Sequence, residues 1–191
     1  MKKIWMINQH NMPPEYGHLN RHYNFGKYLK RLGHKPYVFV GSFLHNTNIQ
    51  MIKDDAICKR YENCDYPYFF IKTCDYSKSK LKRIYAMFEF CHNLFKATKS
   101  IERPDVILGS SAHPLAAVAA IRLAKKYGCM SIVEVRDLWP ESIVEYLNLS
   151  RKNPIIWVLY KLEKWIYKNA DKIIFTMEGG KDYLVQQRWD K

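Results

Sequence analysis

Short runs rich in β-branched and aromatic residues alternate along the chain with longer segments whose apolar residues recur every three or four positions. The short runs predict five buried strands, at residues 3–8, 35–40, 106–108, 131–135 and 172–175. The longer segments predict helices at residues 20–32, 78–101, 115–126, 143–147 and 154–168, and a short one that ends near residue 188. Strands that alternate with helices predict an α/β fold, a Rossmann-like doubly wound parallel sheet.

The first predicted elements form a strand, a helix that Gly33 ends, and a second strand, which is typical of a right-handed βαβ unit. Residues 45–76 have a weaker pattern, which predicts a short hairpin or extra strands near residues 56–58 and 66–73. The length of 191 residues suits one domain. We therefore expect residues 1–191 to form a single Rossmann-like domain.

The composition excludes a disordered protein, because 48% of the residues are hydrophobic and 15% are aromatic. The net charge is +13 and the pI is near 9.5. A nucleic acid, an anionic membrane surface or a phosphate-bearing ligand would each suit this charge. Because no known nucleic-acid-binding motif accompanies it, we do not expect nucleic acid as a partner. A basic nucleic-acid-binding α/β domain remains an alternative that salt-dependent binding to duplex DNA would reveal.

The five cysteines, at positions 58, 64, 74, 91 and 129, are odd in number and lack the Cys-x-x-Cys spacing of a zinc site. We expect free thiols, and no metal held by Cys58, Cys64 and Cys74. No apolar run reaches the roughly 18 residues that a membrane span requires. The first strand follows Lys2 closely and ends at the polar Asn8, so we expect no signal peptide and a cytoplasmic location.

The helix predicted at residues 78–101 is amphipathic and basic, since residues 78–103 contain seven Lys or Arg and two Glu. A helix of this kind can lie on an anionic membrane leaflet. Alternatively, it packs its apolar side on the sheet and turns a basic face to solvent. The second interpretation is favoured, because the sheet needs a helix at this place.

The fourth strand, at residues 131–135, is followed within six residues by Arg136, Asp137, Trp139 and Glu141. Open α/β sheets bind ligands beyond the carboxyl ends of their strands, so these residues are candidates for function. Asp137, and with less support Glu141, are candidate catalytic carboxylates. Arg136 and Trp139 are candidate substrate-binding residues. In the alternative interpretation this is an ordinary loop, with Arg136 paired to Asp137 and Trp139 in the core.

Small and polar residues also follow the third strand and precede a helix. Free backbone amides at a helix N-terminus can bind a phosphate or a sugar hydroxyl, which makes Ser111 and His113 candidate binding residues. Simple capping of the helix is the alternative. The loop after the first strand lacks the Gly-x-Gly-x-x-Gly pattern, so we do not predict a dinucleotide cofactor.

Residues 134–142, Glu-Val-Arg-Asp-Leu-Trp-Pro-Glu-Ser, resemble the signature of a bacterial branch of glycosyltransferase family 4. Members of that branch build O-antigen and capsular polysaccharides and include N-acetylfucosamine transferase-like enzymes. Residues 7–10, 13–17 and 21–23 are similar to the first loop of the family, and residues 162–174 are similar to the helix and strand after its signature.

The resemblance implies the N-terminal half of a GT-B enzyme, in which two Rossmann-like domains enclose the active site. It implies retaining transfer of a sugar from a UDP-sugar to a lipid-diphosphate-linked saccharide, without cofactor or metal. From the charge of +13 and the basic helix we expect peripheral contact with an anionic membrane, the inner face of the plasma membrane. The Glu-x7-Glu type motif of the donor-binding domain does not occur here, so we expect this acceptor-binding domain to be inactive alone. A non-catalytic sugar- or nucleotide-binding subunit, assembled with a separate catalytic chain, is the alternative.

The first loop supplies further candidates by the same resemblance. His10, Gly17, His18 and Arg21 occupy or adjoin the positions that the family uses to bind substrate. The family has a glycine pair here, whereas Gly17 is followed by His18, which departs from the pattern. Gly17 as a turn residue is the alternative.

Overall fold

The computed structural model describes residues 1–148 and 150–189. Within them, seven strands form one sheet in the order β3-β4-β2-β1-β5-β6-β7. Every neighbouring pair is parallel except β3 and β4. The strands are β1 (Lys3–Ile7), β2 (Lys35–Gly41), β3 (Cys58–Arg60), β4 (Tyr68–Ile71), β5 (Val106–Ser110), β6 (Met130–Val135) and β7 (Lys172–Phe175).

The helices of the described residues are α1 (Arg21–Arg31), α2 (Lys80–Ala97), α3 (Pro114–Tyr127), α4 (Glu141–Leu147), α5 (Pro154–Asn169) and α6 (Gly180–Gln186). Local sequence sets several of their ends. Asn153 caps α5 by accepting a hydrogen bond from the backbone N–H of Ile155 at 2.9 Å. Gly128 ends α3 in the left-handed conformation, with φ of 66°.

Alternate residues of each strand pack on opposite faces of the sheet. On one face, Trp5 and Ile7 of β1 pack with Phe90 and Leu94 of α2 and with the alanines of α3. On the other face, Met6 packs with the aromatic side chains that α1 and β4 contribute. Helices therefore cover both faces, as a doubly wound fold requires.

Helix α3 approaches the sheet closely because it is built of small residues. A Cβ atom placed on Gly109 of β5 would lie 2.4 Å from Cβ of Ala120 and 3.4 Å from Cα of Ala117. The loop after β5 thus starts from a strand whose position is fixed by direct backbone-to-helix packing.

The structure confirms the predicted strands and the doubly wound parallel sheet. The weak pattern of residues 45–76 contains the antiparallel pair β3 and β4, as expected for a short hairpin or extra strands. Strands β1, β5 and β6 are parallel neighbours, so the loops that follow them open at the same edge of the sheet.

The favoured interpretation of α2, a helix that packs its apolar side on the sheet, holds for its second half, through residues such as Phe90 and Leu94. Leu81, Ile84, Tyr85 and Phe88 in the first half are exposed. The periodic pattern identified a helical face correctly but could not show where the sheet beneath it ends.

The close contact between β5 and α3 is testable by a double-mutant cycle. Gly109→Ala should lower the free energy of unfolding by about 1–3 kcal/mol, because the added methyl overlaps Ala120. Adding Ala120→Gly should recover part of this loss, although the new helical glycine itself costs about 1 kcal/mol. Urea unfolding of the wild type, both single variants and the double variant measures the coupling. Strictly additive losses would contradict the described packing.

Candidate functional site

The carboxyl ends of the parallel strands bring most of the predicted site residues to one edge of the sheet. The loop after β1 contains Asn8 and His10, and the loop after β5 contains Ser111 and His113. The loop after β6, residues 136–140, contains Arg136, Asp137 and Trp139, and we call it the signature loop. We call this edge of the sheet the carboxyl edge.

A buried carboxylate connects these loops. Glu134 of β6 is 1% exposed. Its Oε1 accepts a hydrogen bond from Nε of Arg21 at 2.6 Å, and its Oε2 lies 3.1 Å from Nε2 of His22. On the other side of this ring, Nδ1 of His22 lies 3.1 Å from the side-chain amide nitrogen of Asn8. The start of α1 and the end of β1 are therefore both tied to β6.

The ionised state of Glu134 is favoured by these contacts. Burial alone would raise its pKa, but the contact with His22 and the hydrogen bond and charge of Arg21 outweigh that effect and lower the pKa to about 2. Glu134 is consequently ionised at neutral pH.

The loop after β5 is joined to β6 and to the loop that follows β6 by hydrogen bonds of Ser111. The N–H of Ser111 donates to the carbonyl of Glu134 at 2.8 Å, and Oγ of Ser111 accepts the N–H of Arg136 at 3.2 Å. Ser111 therefore positions the signature loop and does not cap α3. His113 occupies the cap position of α3 without making a side-chain capping bond. The structure thus does not support the capping alternative for Ser111 and His113.

Three histidines cluster at the carboxyl edge. The rings of His10 and His45 stack with centroids 4.2 Å apart and planes 19° apart, and His113 lies 5.7 Å from His10. Within the described chain, both ring nitrogens of His113 and Nε2 of His10 are buried without a hydrogen-bond partner.

Burial keeps all three rings neutral. Burial and then the neighbouring His113 lower the pKa of His10 well below its ordinary value. Burial, followed by the charge of Arg83, lowers the pKa of His45 to about 4 and that of His113 to about 3. These rings can exchange hydrogen bonds with a ligand at neutral pH, but they do not supply positive charge. No group of His, Cys, Asp or Glu in the described ranges is arranged to hold a metal ion.

The signature loop presents an unpaired carboxylate. Asp137 is exposed and makes no hydrogen bond or ion pair with the described residues, so the pairing with Arg136 that the alternative interpretation requires does not occur there. Together with Ser111 and Trp139 it lines a narrow pocket to which Glu163 also contributes. Nε1 of Trp139 is buried without a hydrogen-bond partner in this part of the chain. The indole thus forms one wall of the pocket beside Asp137.

Glu141 is engaged differently. Arg151 donates to one of its carboxylate oxygens, and the hydroxyl of Tyr160 donates to the other. Burial, and then the hydrogen bond and charge of Glu141, raise the pKa of Tyr160 to about 12. These contacts join α4 to α5. Because both carboxylate oxygens of Glu141 already have partners, Glu141 is less available to a substrate than Asp137 is.

The remaining first-loop candidates occupy peripheral positions. A Cβ atom on Gly17 would lie 2.9 Å from the sulfur of Met12, and the residue ends a single turn of 3₁₀ helix (Pro14–Tyr16) with φ of 155°. The structure therefore supports a turn role for Gly17. His18 is exposed and forms no hydrogen bond with the residues that the structure describes.

Sequence reasoning did not select three residues of this edge: Glu134, His45 and Glu163. Glu163 of α5 is 3% exposed and accepts hydrogen bonds from the hydroxyls of Tyr167 at 2.8 Å and Tyr183 at 2.7 Å. Burial raises its pKa to about 7, although these hydrogen bonds oppose the shift. An acid within an otherwise apolar strand was a signal for Glu134, because a buried charge needs partners.

The ion pair of Glu134 predicts a specific dependence of stability on pH. Glu134→Gln should lower the free energy of unfolding at pH 7 by about 2 kcal/mol, because Arg21 and His22 lose a charged acceptor. The folded pKa of Glu134, about 2, lies below the ordinary 4.5. Its contribution is therefore complete above pH 4.5 and is lost as the pH falls towards 2.

Urea unfolding between pH 2.5 and 7 measures this difference. The curves of Glu134→Gln and the wild type should converge as the pH falls. Glu62→Gln, which changes an exposed acid, should follow the wild type throughout. A constant difference between Glu134→Gln and the wild type at all pH values would contradict the ion pair.

Comparisons with known proteins agree with the fold. Among solved structures, the chain is similar to a sucrose-phosphate synthase from Thermosynechococcus elongatus, with a TM-score of 0.55 and 17% identity over 96% of this chain and 81% of that one. At this identity the likeness shows the fold alone, that of a GT-B Rossmann-like N-terminal domain. A search of curated proteins found no match. The model of Glycosyltransferase Family 4 matches residues 20–191, so the chain belongs to glycosyltransferase family 4.

Proposed function

We propose that this chain is the acceptor-binding N-terminal domain of a retaining glycosyltransferase. The enzyme would transfer a hexosyl or N-acetylhexosaminyl group from a UDP-sugar to a lipid-diphosphate-linked saccharide, in the synthesis of O-antigen or capsular polysaccharide. Membership of glycosyltransferase family 4 supports a sugar transferase. The signature at residues 134–142 supports the finer assignment to the polysaccharide branch.

The observation that supports a catalytic role most directly is the free carboxylate of Asp137 at the carboxyl edge, between the wall of Trp139 and the Ser111 loop. In the transfer, an acceptor hydroxyl forms a bond to the anomeric carbon while the bond from that carbon to the diphosphate of UDP breaks, and the hydroxyl proton passes to the departing diphosphate. Asp137 would orient the acceptor hydroxyl or stabilise the positive charge that develops on the sugar. Arg136, beside it, would contact the acceptor.

In this proposal, the two domains of the enzyme bind different substrates. A second Rossmann-like domain would bind the UDP-sugar, and this one would bind the acceptor. The domain described here should then have little affinity for UDP-sugar by itself. No cofactor is required, because the basic side chains and helix N-termini of such a cleft stabilise the leaving diphosphate.

We also propose that the domain contacts the anionic inner face of the plasma membrane through α2. Four large apolar side chains, Leu81, Ile84, Tyr85 and Phe88, lie on one side of its first half, and Leu81 is 79% and Phe88 58% exposed. Exposed basic residues adjoin them at positions 78, 80, 82 and 83. An exposed apolar stripe with a basic border suits an interface with anionic lipid. None of the helices in the described ranges has an apolar stretch that could cross a bilayer.

Asp137→Ala tests the catalytic proposal in an enzyme that contains this domain and a donor-binding domain. Turnover should fall by roughly 30- to 1,000-fold, since a well-placed charge contributes about 2–4 kcal/mol to the barrier. Affinity for the nucleotide should stay within about twofold, because the lost interaction belongs mostly to the transition state.

The exposed acid Glu145 on α4 supplies the control, and Glu145→Ala should leave turnover unchanged. Thermal unfolding of both variants excludes loss of the fold as the cause. Normal turnover in Asp137→Ala would refute the assignment of this carboxylate.

Vesicle sedimentation tests the membrane proposal. The double variant Leu81→Ser, Phe88→Ser should bind phosphatidylglycerol vesicles at least about tenfold more weakly than the wild type, because two large side chains no longer enter the interface. Tyr28→Ser with Leu32→Ser removes equally exposed apolar residues near the end of α1 and should bind as the wild type does. Equal binding of the wild type to neutral and anionic vesicles would contradict the proposal.

A further inference from the structure

A second and larger cleft lies at the start of α2. Its volume is about 520 Å³. Its walls are residues 43 and 45–48 of the segment after β2, residues 76–80 of the segment that leads into α2, and Arg83. It shares no lining residue with the narrow pocket at Asp137 and Trp139.

Three basic side chains line this cleft, and no acidic one does. Lys78 and Lys80 are exposed and make no hydrogen bond or ion pair with the described residues. The guanidinium of Arg83 lies 3.5 Å from Nε2 of the neutral His45 ring and forms no ion pair with the described residues. The neighbouring carboxylate of Asp75 accepts the N–H and hydroxyl of Ser77 through Oδ1, at 2.8 and 2.7 Å, and its charge interacts with Lys78 and Lys82. Lys80 and Arg83 thus line the cleft without an acidic partner among the described residues.

The backbone N–H groups at the start of α2 also favour an anion in the cleft. Oγ of Ser79 accepts the N–H of Lys82 at 3.3 Å and begins α2, a helix of 18 residues. The other N–H groups of the first helical turn have no acceptor within the helix, and the helix dipole is positive at this end. An anion in the cleft would meet these amides as well as the basic side chains.

Buried polar atoms lie behind the cleft wall. His45, which lines the cleft, stacks at 4.2 Å on His10, and His10 lies 5.7 Å from His113. His10 is 8% exposed, and its Nε2 has no hydrogen-bond partner in the described chain. The histidines therefore connect the basic cleft to the loop after β5, which holds the signature loop through Ser111.

We propose that this cleft binds the diphosphate group of the lipid-linked acceptor. The inference rests on the proposed function and deepens it by assigning a subsite. A diphosphate in the cleft would have the exposed apolar stripe of α2 on one side, where a lipid chain enters the bilayer. On the other side the histidines lead to Ser111 and Asp137, where the saccharide would be presented. Lys80 and Arg83 would pair with the phosphate oxygens.

Titration of the protein with inorganic pyrophosphate tests the subsite without a transfer reaction. Lys80→Gln and Arg83→Gln should each weaken pyrophosphate binding by about fivefold or more at 0.1 M salt. Lys96→Gln and Lys99→Gln remove the same charge from exposed positions at the other end of α2 and should change it less than twofold. Absence of saturable binding, or equal losses in both pairs, would overturn the proposal, since only diffuse charge would then act.

Vesicles separate a diphosphate from ordinary anionic lipid. Neutral phosphatidylcholine vesicles doped with a polyprenyl diphosphate should recruit the wild type more strongly than vesicles with the same total charge from phosphatidylglycerol. Arg83→Gln should remove that preference, whereas Lys96→Gln should keep it. Equal recruitment by both vesicle types would overturn selectivity for diphosphate.

These experiments distinguish a failure of the proposed function, sugar transfer, from a failure of the proposed diphosphate subsite. If pyrophosphate binds as predicted but an enzyme containing this domain transfers no sugar, the proposed function is wrong and the anion site remains. If sugar transfer occurs but Lys80→Gln and Arg83→Gln leave both pyrophosphate binding and the KM for the acceptor unchanged, the subsite is wrong and the function remains.

Discussion

The buried carboxylate of Glu134 is the interaction on which the carboxyl edge depends. A charge at the end of an internal strand is costly unless partners surround it, and Arg21 and His22 at the start of α1 supply them. The backbone carbonyl of Glu134 also accepts the N–H of Ser111, whose hydroxyl holds the N–H of Arg136. One residue thereby sets the relative positions of the first loop, the loop after β5 and the signature loop.

Much of this arrangement could be predicted from the sequence because parallel strands leave strong local signals. Runs such as Ser-Ile-Val-Glu-Val at residues 131–135 identify buried strands, and the topology then brings their carboxyl ends together. The loops of His10, Ser111 and Asp137 meet at one edge for this reason. The same logic identified the helical face of α2, although not the extent of its exposure.

The features of the site that the sequence did not predict depend on contacts between residues distant in the chain. His45 lies in a segment of weak pattern, and only the fold stacks it on His10 and brings it within 3.5 Å of Arg83. The signature motif could not show that Arg151 and Tyr160 engage Glu141 and leave Asp137 free, because both partners belong to later segments. Tertiary context therefore distinguishes two carboxylates that look equivalent in sequence.

NMR chemical-shift mapping can show whether the acceptor binds at the carboxyl edge. The titrant would be a water-soluble, short-chain prenyl diphosphate saccharide added to the isotopically labelled domain. Binding at this edge should give saturable shifts concentrated at the amides of residues 8–11, 43–48, 76–83, 111–113 and 136–139. Shifts centred on the opposite edge, around His34, Asp105 and Cys129, or no saturable shifts at all, would contradict it.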